Sequence, residues 1–276
     1  MYKKAKYFIS ENNIIDTEQF NIKELEKGFS VYEVVKIIKG IPLFFEDHIN
    51  RLHQSAILKN KKIPFSDYEI SKQVFSLIKI NQIYEGRLKF VVRFYKNENK
   101  LISFYLNPIK PTENDYKNGI EIQTFKAERQ NPNAKVINYN LRTSVNKLIR
   151  ENNIFEVLLY NEKEIISECS KSNIFFVKNN ILYTSLSENV LPGITRSYIY
   201  KICKELSTEI TEKKITVSEL QNFESAFITG TSIGVLPVKQ IDTVNFDAAN
   251  ILISELSKKY QTTVSRYLSD KLKRSI

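Results

Sequence analysis

The chain is short of the residues on which several kinds of site depend. Its 276 residues include two cysteines, two histidines and no tryptophan. Two cysteines are too few for a disulfide framework, and no Cys-x-x-Cys pair occurs. The two histidines, His48 and His53, have no cysteine or carboxylate neighbours at metal-ligand spacing. We therefore expect no metal site and a reducing compartment, the cytoplasm.

Long apolar segments and glycine-rich loops are missing as well. No apolar run approaches the roughly 18–20 residues of a membrane span, and the first residues, MYKKAKYFISENN, contain no segment typical of a signal peptide. Neither a Gly-x-Gly-x-x-Gly loop nor a P-loop occurs. No Gly-x-Ser-x-Gly accompanies the two histidines. These absences argue against a membrane protein, a nucleotide-binding fold and a serine hydrolase.

Lysine, in contrast, is abundant, and the formal net charge is +10. A basic chain can bind nucleic acid, but these lysines are spread along the sequence, without a basic arm or an RNA-binding aromatic motif. A solvated lysine-rich surface explains most of the charge, and a positive field also concentrates small anions. We expect no nucleic-acid partner and keep a non-catalytic basic binding protein as a remote alternative.

Alternation and turn residues predict several hairpins. One turns at Lys39-Gly40, in SVYEVVKII-KG-IPLFF, and one has a polar KNEN tip, in GRLKFVVRFY-KNEN-KLISFYL; EVLLY-NEKE-IIS and NIFFV-KNN-ILYT follow in succession. Apolar periodicity predicts helices in SDYEISKQVFSLIKI, with Ser66 as the N-cap, and in RTSVNKLIREN, TRSYIYKICKEL and FDAANILISELSKKY. Because hairpins and helices are mixed without a regular βαβ series, we predict the α+β class.

The segment NPIKPTENDYKNG combines two prolines, polar residues and a glycine. We predict a linker at 111–118, a small N-terminal α/β domain at 1–110 and a larger C-terminal domain at 119–276.

Three segments could bind an anion. In NVLPGITRSYIYKICKEL, Gly193 allows close backbone approach, and Ile194 and Thr195 would offer N–H groups at a helix start. In FITGTSIG, Thr231 and Ser232 could donate to the same anion. In FEDHINRLHQSA, His48 and Arg51 share a helix face, so Arg51 could bind a phosphate. The alternatives are an ordinary helix start, a plain loop and a solvated helix face.

Glu168 ends a β-rich stretch among small residues, in IISECSKSNIFFV. A carboxylate in such surroundings needs a partner, which a lysine could also provide. A lysine, a buried carboxylate, a helix-start phosphate site and a Gly-Thr-Ser loop are together what pyridoxal 5′-phosphate requires.

With these segments, the chain resembles the class IV aminotransferases, the fold-type IV pyridoxal-phosphate enzymes, over about residues 28–242. GFSVYEVVKIIKGIPLFFEDHINRL is similar to the family's first hairpin and its His-x-x-Arg-Leu helix, and AKVINYNL to its lysine segment. ISECSKSNIFFVKNNILYT is similar to its Glu-x-Ser-x-Ser-Asn stretch, and LPGITR and TGTSIGVLPVKQID to its phosphate-binding segments. Five segments in the right order make the resemblance specific.

The resemblance implies a role for each matching residue. Lys135 would form the Schiff base with the cofactor and shuttle the substrate proton, and Glu168 would contact the pyridine nitrogen. The remaining cofactor residues would be Arg51, Ile194, Thr195, Thr231, Ser232 and, near the cofactor's O3′, Tyr139. The resemblance also implies a small α/β domain, a larger pseudobarrel domain, and a homodimer with its active site at the interface.

The chain departs from the family where some members bind the substrate carboxylate. FVVRFY replaces the common Thr-Arg-Gly strand end, and the KNENK loop lacks the arginine and histidine of the D-amino acid enzymes. Because alternate strand residues share a face, Arg87, Lys89 and Arg93 point the same way. We hypothesise that one or more of these three residues, with Tyr32, binds the carboxylate; a basic outer face is the alternative.

The sequence thus predicts an enzyme, a pyridoxal-phosphate-dependent aminotransferase that moves an amino group between an amino acid and a 2-oxo acid. The alternative within the same family is 4-amino-4-deoxychorismate lyase.

Overall fold

The computed structural model describes residue 2 and residues 4–96, 98–109 and 111–274. The chain divides into two compact units: unit 1 comprises Met1–Ile109, Ala134–Ile137 and Arg266–Ile276, and unit 2 comprises Lys110–Asn133 and Asn138–Ser265. Lys135 is therefore grouped with the N-terminal part of the chain. The division into domains at 1–110 and 119–276 stays a prediction, as does the linker at 111–118.

Among its described residues, unit 1 contains a six-stranded sheet, two α-helices from the N-terminal segment and the end of the last helix of the chain. Its elements are β1 (Tyr7–Ser10), β2 (Asn13–Asp16), β3 (Phe29–Ile38), β4 (Ile41–Pro42), α1 (Phe45–Ile57), α2 (Asp67–Asn81), β5 (Gly86–Tyr95) and β6 (Glu98–Leu106). The strands are antiparallel in the order β2-β1-β6-β5-β3-β4. The predicted β5–β6 hairpin is confirmed, and Asn97 at its tip lies outside the described residues.

Local sequence signals explain much of this unit. On β3, Val31, Val35 and Ile37 are buried at alternate positions, as expected for one face of a strand. Helix α2 has the predicted cap, since Ser66 Oγ accepts a hydrogen bond from Glu69 N at 3.2 Å and Glu69 Oε2 accepts one from Ser66 N at 2.8 Å.

The second strand of the first predicted hairpin is shorter than expected. Strand β4 covers only Ile41–Pro42, and the following residues enter helix α1 through Phe44, whose φ is 51°. The reason is a contact distant in sequence. Tyr267 packs its ring 5.0 Å from that of Phe44, and its hydroxyl accepts a hydrogen bond from Phe45 N at 3.0 Å. The α1 N-cap residue makes no side-chain cap bond, so Tyr267 provides an acceptor at this helix start.

Unit 2 contains a nine-stranded mixed sheet. Its elements are α3 (Glu113–Asn118), β7 (Ile120–Lys126), α4 (Tyr139–Glu151), β8 (Glu156–Tyr160), β9 (Ile166–Cys169), β10 (Asn173–Lys178), β11 (Ile181–Thr184), α5 (Ile194–Leu206), β12 (Ile210–Glu212), β13 (Ser225–Gly230), β14 (Gly234–Ile241), β15 (Val244–Asn245) and α6 (Ile251–Arg274), the last continuing into unit 1. The order is β12-β11-β10-β13-β14-β7-β8-β9, with β15 beside β14.

The connection from β9 to β10 shows that this sheet is curled. Strand β9 ends the sheet, five strand positions from β10, yet only residues 170–172 join them. Five spacings in a flat sheet would be about 24 Å, whereas four Cα steps span at most roughly 14 Å. The sheet must therefore curl into a half-barrel, and this brings the end of β9, with Glu168, close to the start of β10. None of the helices in the described part of the chain has both the length and the apolar composition of a membrane span.

Candidate active site

Lys135 is held at the edge of β3 in unit 1. Its carbonyl accepts a hydrogen bond from Tyr32 N at 3.1 Å, and its backbone N–H donates to Ser55 Oγ at 3.0 Å. Its amine lies 5.2 Å from the centre of the Tyr32 ring, and the Lys89 amine lies 4.0 Å from the same ring. Unit 1 thus brings together three predicted site residues: Lys135, Tyr32 and Lys89.

Arg51 belongs to a buried charged cluster. Its Nε donates to Glu33 Oε1 at 2.7 Å and its Nη2 to Glu33 Oε2 at 2.6 Å, while His48 Nδ1 is 2.7 Å from Glu33 Oε2. Glu33 and His48 are fully buried, and Arg51 is 9% exposed. The alternative of a solvated helix face is therefore wrong for His48 and Arg51.

The cluster has a defined charge state. Burial alone would raise the pKa of Glu33, but the Arg51 guanidinium and the His48 ring together lower it to about 2. Burial lowers the pKa of His48 despite Glu33, and the charges of Arg51 and Lys135 act in the same direction. His48 is therefore neutral, donates its Nδ1 proton to Glu33, and carries an acceptor lone pair at Nε2. This Nε2 is buried and has no hydrogen-bond partner among the described residues.

Arg93 lies on the same strand as Lys89 but has other partners. Its side chain is 1% exposed, and its Nη1 donates at 3.1 Å both to the Glu24 carboxylate and to the Glu24 carbonyl. Glu98 lies 3.7 Å away on its other side. Arg93 thereby binds the segment before β3 through Glu24, and its guanidinium contacts the carboxylates of Glu24 and Glu98.

Glu168, in unit 2, is buried, and Asn173, Leu191 and Arg129 are among its partners. Its Oε2 accepts hydrogen bonds from Asn173 Nδ2 at 3.0 Å and from Leu191 N at 3.1 Å. Its Oε1 forms an ion pair with Arg129 Nε at 3.0 Å. One charged partner of Glu168 in this unit is therefore an arginine.

The predicted anion site at the start of α5 lies next to Glu168 through Asn173. Gly193 is the N-cap residue and forms no side-chain cap, and a Cβ at this position would lie 1.9 Å from Asn173 Oδ1. Ile194 and Thr195 are buried in the first turn, and Thr195 Oγ1 is 3.2 Å from the Tyr260 hydroxyl. The uncapped helix start offers backbone N–H groups and a positive dipole end.

The last predicted residues of this unit occupy a turn and a helix start. Thr231 and Ser232 form the turn between β13 and β14, closed by a 3.1 Å hydrogen bond from Ile233 N to Gly230 O. Tyr139 begins α4, directly after the N-cap Asn138, and its hydroxyl is buried.

Comparison with known proteins identifies the family. The amino-transferase class IV family model matches residues 30–241. The chain belongs to this family. A D-alanine aminotransferase from Bacillus licheniformis is 30% identical over 250 residues, covering 86% of this chain and 88% of that protein.

Solved structures of class IV aminotransferases share the fold. The branched-chain amino acid aminotransferase of Escherichia coli superposes with a TM-score of 0.82 at 21% identity, covering 94% of this chain and 95% of that chain. The T.th. branched-chain enzyme, solved with pyridoxamine 5′-phosphate, superposes with a TM-score of 0.83 at 22% identity. The match covers 97% of this chain and 96% of that chain. The predicted fold class is confirmed, and so are the predicted enzyme class, an aminotransferase, and its cofactor, pyridoxal 5′-phosphate.

The residues present fit this cofactor. In unit 2, helix α5 begins without a side-chain cap, and its first N–H groups suit a phosphate. In unit 1, Arg51 provides a guanidinium. Lys135 provides an amine and Glu168 a buried carboxylate. Pyridoxal 5′-phosphate has a phosphate, an aldehyde and a pyridine nitrogen, and N–H groups, an amine and a carboxylate are the kinds of group that can bind them.

Sequence reasoning missed four residues that hold these groups: Glu33, Ser55, Arg129 and Asn173. The sequence could have predicted that Glu33 is buried, because strand alternation places it on the buried face between Val31 and Val35. The same applies to Ser55, since it follows His48 by seven positions on the same helix face. Arg129 lies in an irregular polar segment, where no local pattern indicates a partner.

We predict that Gly193→Ala lowers the free energy of unfolding by at least about 1 kcal/mol, because the added Cβ must displace the Asn173 amide. That displacement also takes Asn173 Nδ2 away from Glu168. Urea denaturation measures the change. Gly230→Ala is the matched control, since its nearest neighbour would be 3.5 Å away; equal losses in both variants would contradict the prediction.

Proposed function

We propose that this aminotransferase acts on an amino acid with a small side chain, and that Lys135 carries the cofactor and moves the substrate proton. The observation that carries the proposal is the Lys135 amine beside Tyr32 and Lys89, on a backbone fixed to β3. When bound, pyridoxal 5′-phosphate supplies an aldehyde for amines and a ring that withdraws electrons from the substrate Cα.

Each remaining group has a binding role. The Arg51 guanidinium and the N–H groups at the start of α5 suit a phosphate dianion. A carboxylate at the pyridine nitrogen favours its protonated form, and we assign this role to Glu168. The phosphate residues of the proposal are Arg51, Ile194, Thr195, Thr231 and Ser232, and Tyr139 is placed near O3′.

The proton transfer is assigned to the Lys135 amine. In the proposal, Lys135 Nζ would hold the cofactor when no substrate is bound and would act as the base for the proton on the substrate Cα. A positioned general base contributes roughly 10²–10⁴-fold to a rate. The Tyr32 ring beside Nζ restricts the positions that the flexible lysine side chain can occupy.

Lys89 is the proposed partner of the substrate carboxylate, with Tyr32. Its amine packs on the Tyr32 ring that also contacts Lys135, so it suits a group attached to the reacting Cα. The proposal rests on Lys89 and not on Arg93, because Lys89 contacts the Tyr32 ring, whereas Arg93 contacts Glu24 and Glu98.

Lys89→Ala is expected to raise the KM for the amino donor by about 10- to 100-fold, with kcat changed much less. A hydrogen bond to a charged group contributes roughly 1.5–3 kcal/mol, and loss of substrate binding common to ground and transition states appears in KM. Steady-state kinetics measures both constants. Arg87→Ala is the control on the same strand, because Arg87 is bound to the Asn107 carbonyl. An unchanged KM in Lys89→Ala would remove Lys89 from the site.

A donor screen tests the function itself. The relatives include a D-alanine aminotransferase, and branched-chain enzymes share the fold, so D-alanine, L-alanine, L-valine and L-leucine are offered with 2-oxoglutarate. Glutamate formation from a small donor supports the proposal. Pyruvate release from aminodeoxychorismate without glutamate formation would indicate the lyase instead. A protein that takes up no pyridoxal 5′-phosphate would contradict both.

We also propose that the protein is cytoplasmic and forms a homodimer with the active site at the subunit interface. The family resemblance supports the dimer, and two buried free cysteines are compatible with a reducing compartment. Light scattering on a sizing column is expected to give twice the 32.3 kDa chain mass.

A further inference from the structure

The Lys135 segment pairs with β3 at a single antiparallel bridge, and the backbone N–H of Lys135 bonds outside this pairing. Tyr32 N donates to Lys135 O at 3.1 Å, and Val136 bridges Val31 in antiparallel sense. In a regular antiparallel ladder, facing residues exchange both N–H···O bonds, so Lys135 N would donate to Tyr32 O. It donates instead to Ser55 Oγ at 3.0 Å.

The position of Ser55 allows its hydroxyl to hold the Lys135 N–H away from β3. It is fully buried on α1, four residues after Arg51 and seven after His48, on the same helix face. Helix α1 packs on β3, the strand that carries Lys135 on its edge. One helix face therefore holds both the guanidinium of Arg51 and the backbone of Lys135.

We propose that Ser55 is a positioning residue for Lys135, an inference that rests on the proposed role of Lys135. The hydroxyl turns the Lys135 peptide N–H away from β3 and so sets the direction of the Cα–Cβ bond from which the amine extends. Without it, the N–H can return to Tyr32 O, and the side chain then starts from a rotated backbone. Small displacements of a reacting group cost up to about 10²-fold in rate.

The test compares Ser55→Ala with Ser103→Ala. Ser103 is also fully buried in unit 1, and its hydroxyl accepts a hydrogen bond from Gln73 Nε2 at 2.9 Å, so the two variants lose similar interactions. For Ser55→Ala we expect kcat to fall about 10- to 100-fold while the amino-donor KM stays close to wild type. The pH midpoint of the cofactor absorption band should also shift. Ser103→Ala should keep the wild-type kcat and midpoint.

A second measurement needs no cofactor. In the cofactor-free protein, Ser55→Ala should speed amide hydrogen exchange in the peptide containing residues 134–137 by at least about tenfold, and Ser103→Ala should not. Unchanged exchange and kcat in Ser55→Ala, or equal kcat losses in both variants, would overturn the role of Ser55. A wild-type protein that takes up no cofactor would overturn the function of Lys135 and with it this role, whatever the exchange result.

Discussion

Lys135→Ala is expected to lower turnover by at least about 10³-fold while the fold persists. The substitution removes both the amine that carries the cofactor and the base that moves the Cα proton. The hydrogen bonds that fix residue 135 use its backbone, to Tyr32 N and Ser55 Oγ, so the Lys135 segment should stay on β3. We expect the free energy of unfolding to stay within about 1 kcal/mol of wild type.

Steady-state kinetics and borohydride trapping check this prediction together. Reduction of the loaded wild-type protein should attach one cofactor per chain at Lys135, and the variant should show no attachment. Lys147→Ala is the control, because Lys147 is an exposed lysine on α4 paired only loosely with Glu151, at 3.8 Å. A Lys135→Ala protein with wild-type turnover would make Lys135 an ordinary surface charge.

Local signals predicted those parts of the fold that local interactions determine. The β5–β6 hairpin and the Ser66 cap follow from alternation and from side chains three residues apart, and both were confirmed. The β-rich run after Gly40 was predicted too long because Tyr267, 222 residues away, contacts the start of α1. No window of sequence around Phe44 contains that partner.

The residues of the site also divide into those that short motifs predict and those that only tertiary contacts identify. The resemblance picked out Lys135 and Glu168 by their motifs. Asn173, a partner of Glu168, lies five residues away in the same motif, but other partners come from distant segments. Ser55 reaches Lys135 across 80 residues, and Arg129 reaches Glu168 from an irregular segment with no periodicity. Side-chain chemistry can therefore be predicted from short motifs, whereas the groups that orient those side chains depend on tertiary structure.

Glu33→Gln is expected to lower the free energy of unfolding by about 3 kcal/mol. The substitution keeps the shape of the side chain but leaves the Arg51 charge buried against a neutral amide. Removing one partner of a buried ion pair typically costs about 3–5 kcal/mol. Urea denaturation at pH 7 measures the loss. Glu151→Gln, in the exposed pair with Lys147, should change stability by less than about 1 kcal/mol.

The pH dependence of this loss identifies its cause. The pKa of Glu33 is lowered to about 2 from an ordinary value of 4.5, so the folded state holds this proton less tightly than the unfolded chain. The stabilisation is therefore complete above pH 4.5 and is lost as the pH falls towards 2. Because glutamine does not titrate, the difference in free energy of unfolding between wild type and Glu33→Gln should become smaller between pH 4.5 and pH 2. A gap that stays constant from pH 7 to pH 3 would mean that the charge of Glu33 does not stabilise the fold.

A double variant separates charge from packing in the same cluster. Arg51→Met alone leaves the Glu33 carboxylate buried without its guanidinium, and we expect it to be as destabilising as Glu33→Gln. Glu33→Leu combined with Arg51→Met removes both charges and fills the space with apolar groups. Such a replacement of a buried ion pair often leaves the stability of a protein unchanged. The double variant should therefore be more stable than either charge-unpaired variant. A double variant no more stable than the single ones would mean that the loss of stability comes from altered packing. The Glu33–Arg51 ion pair would then not contribute to the stability of the fold.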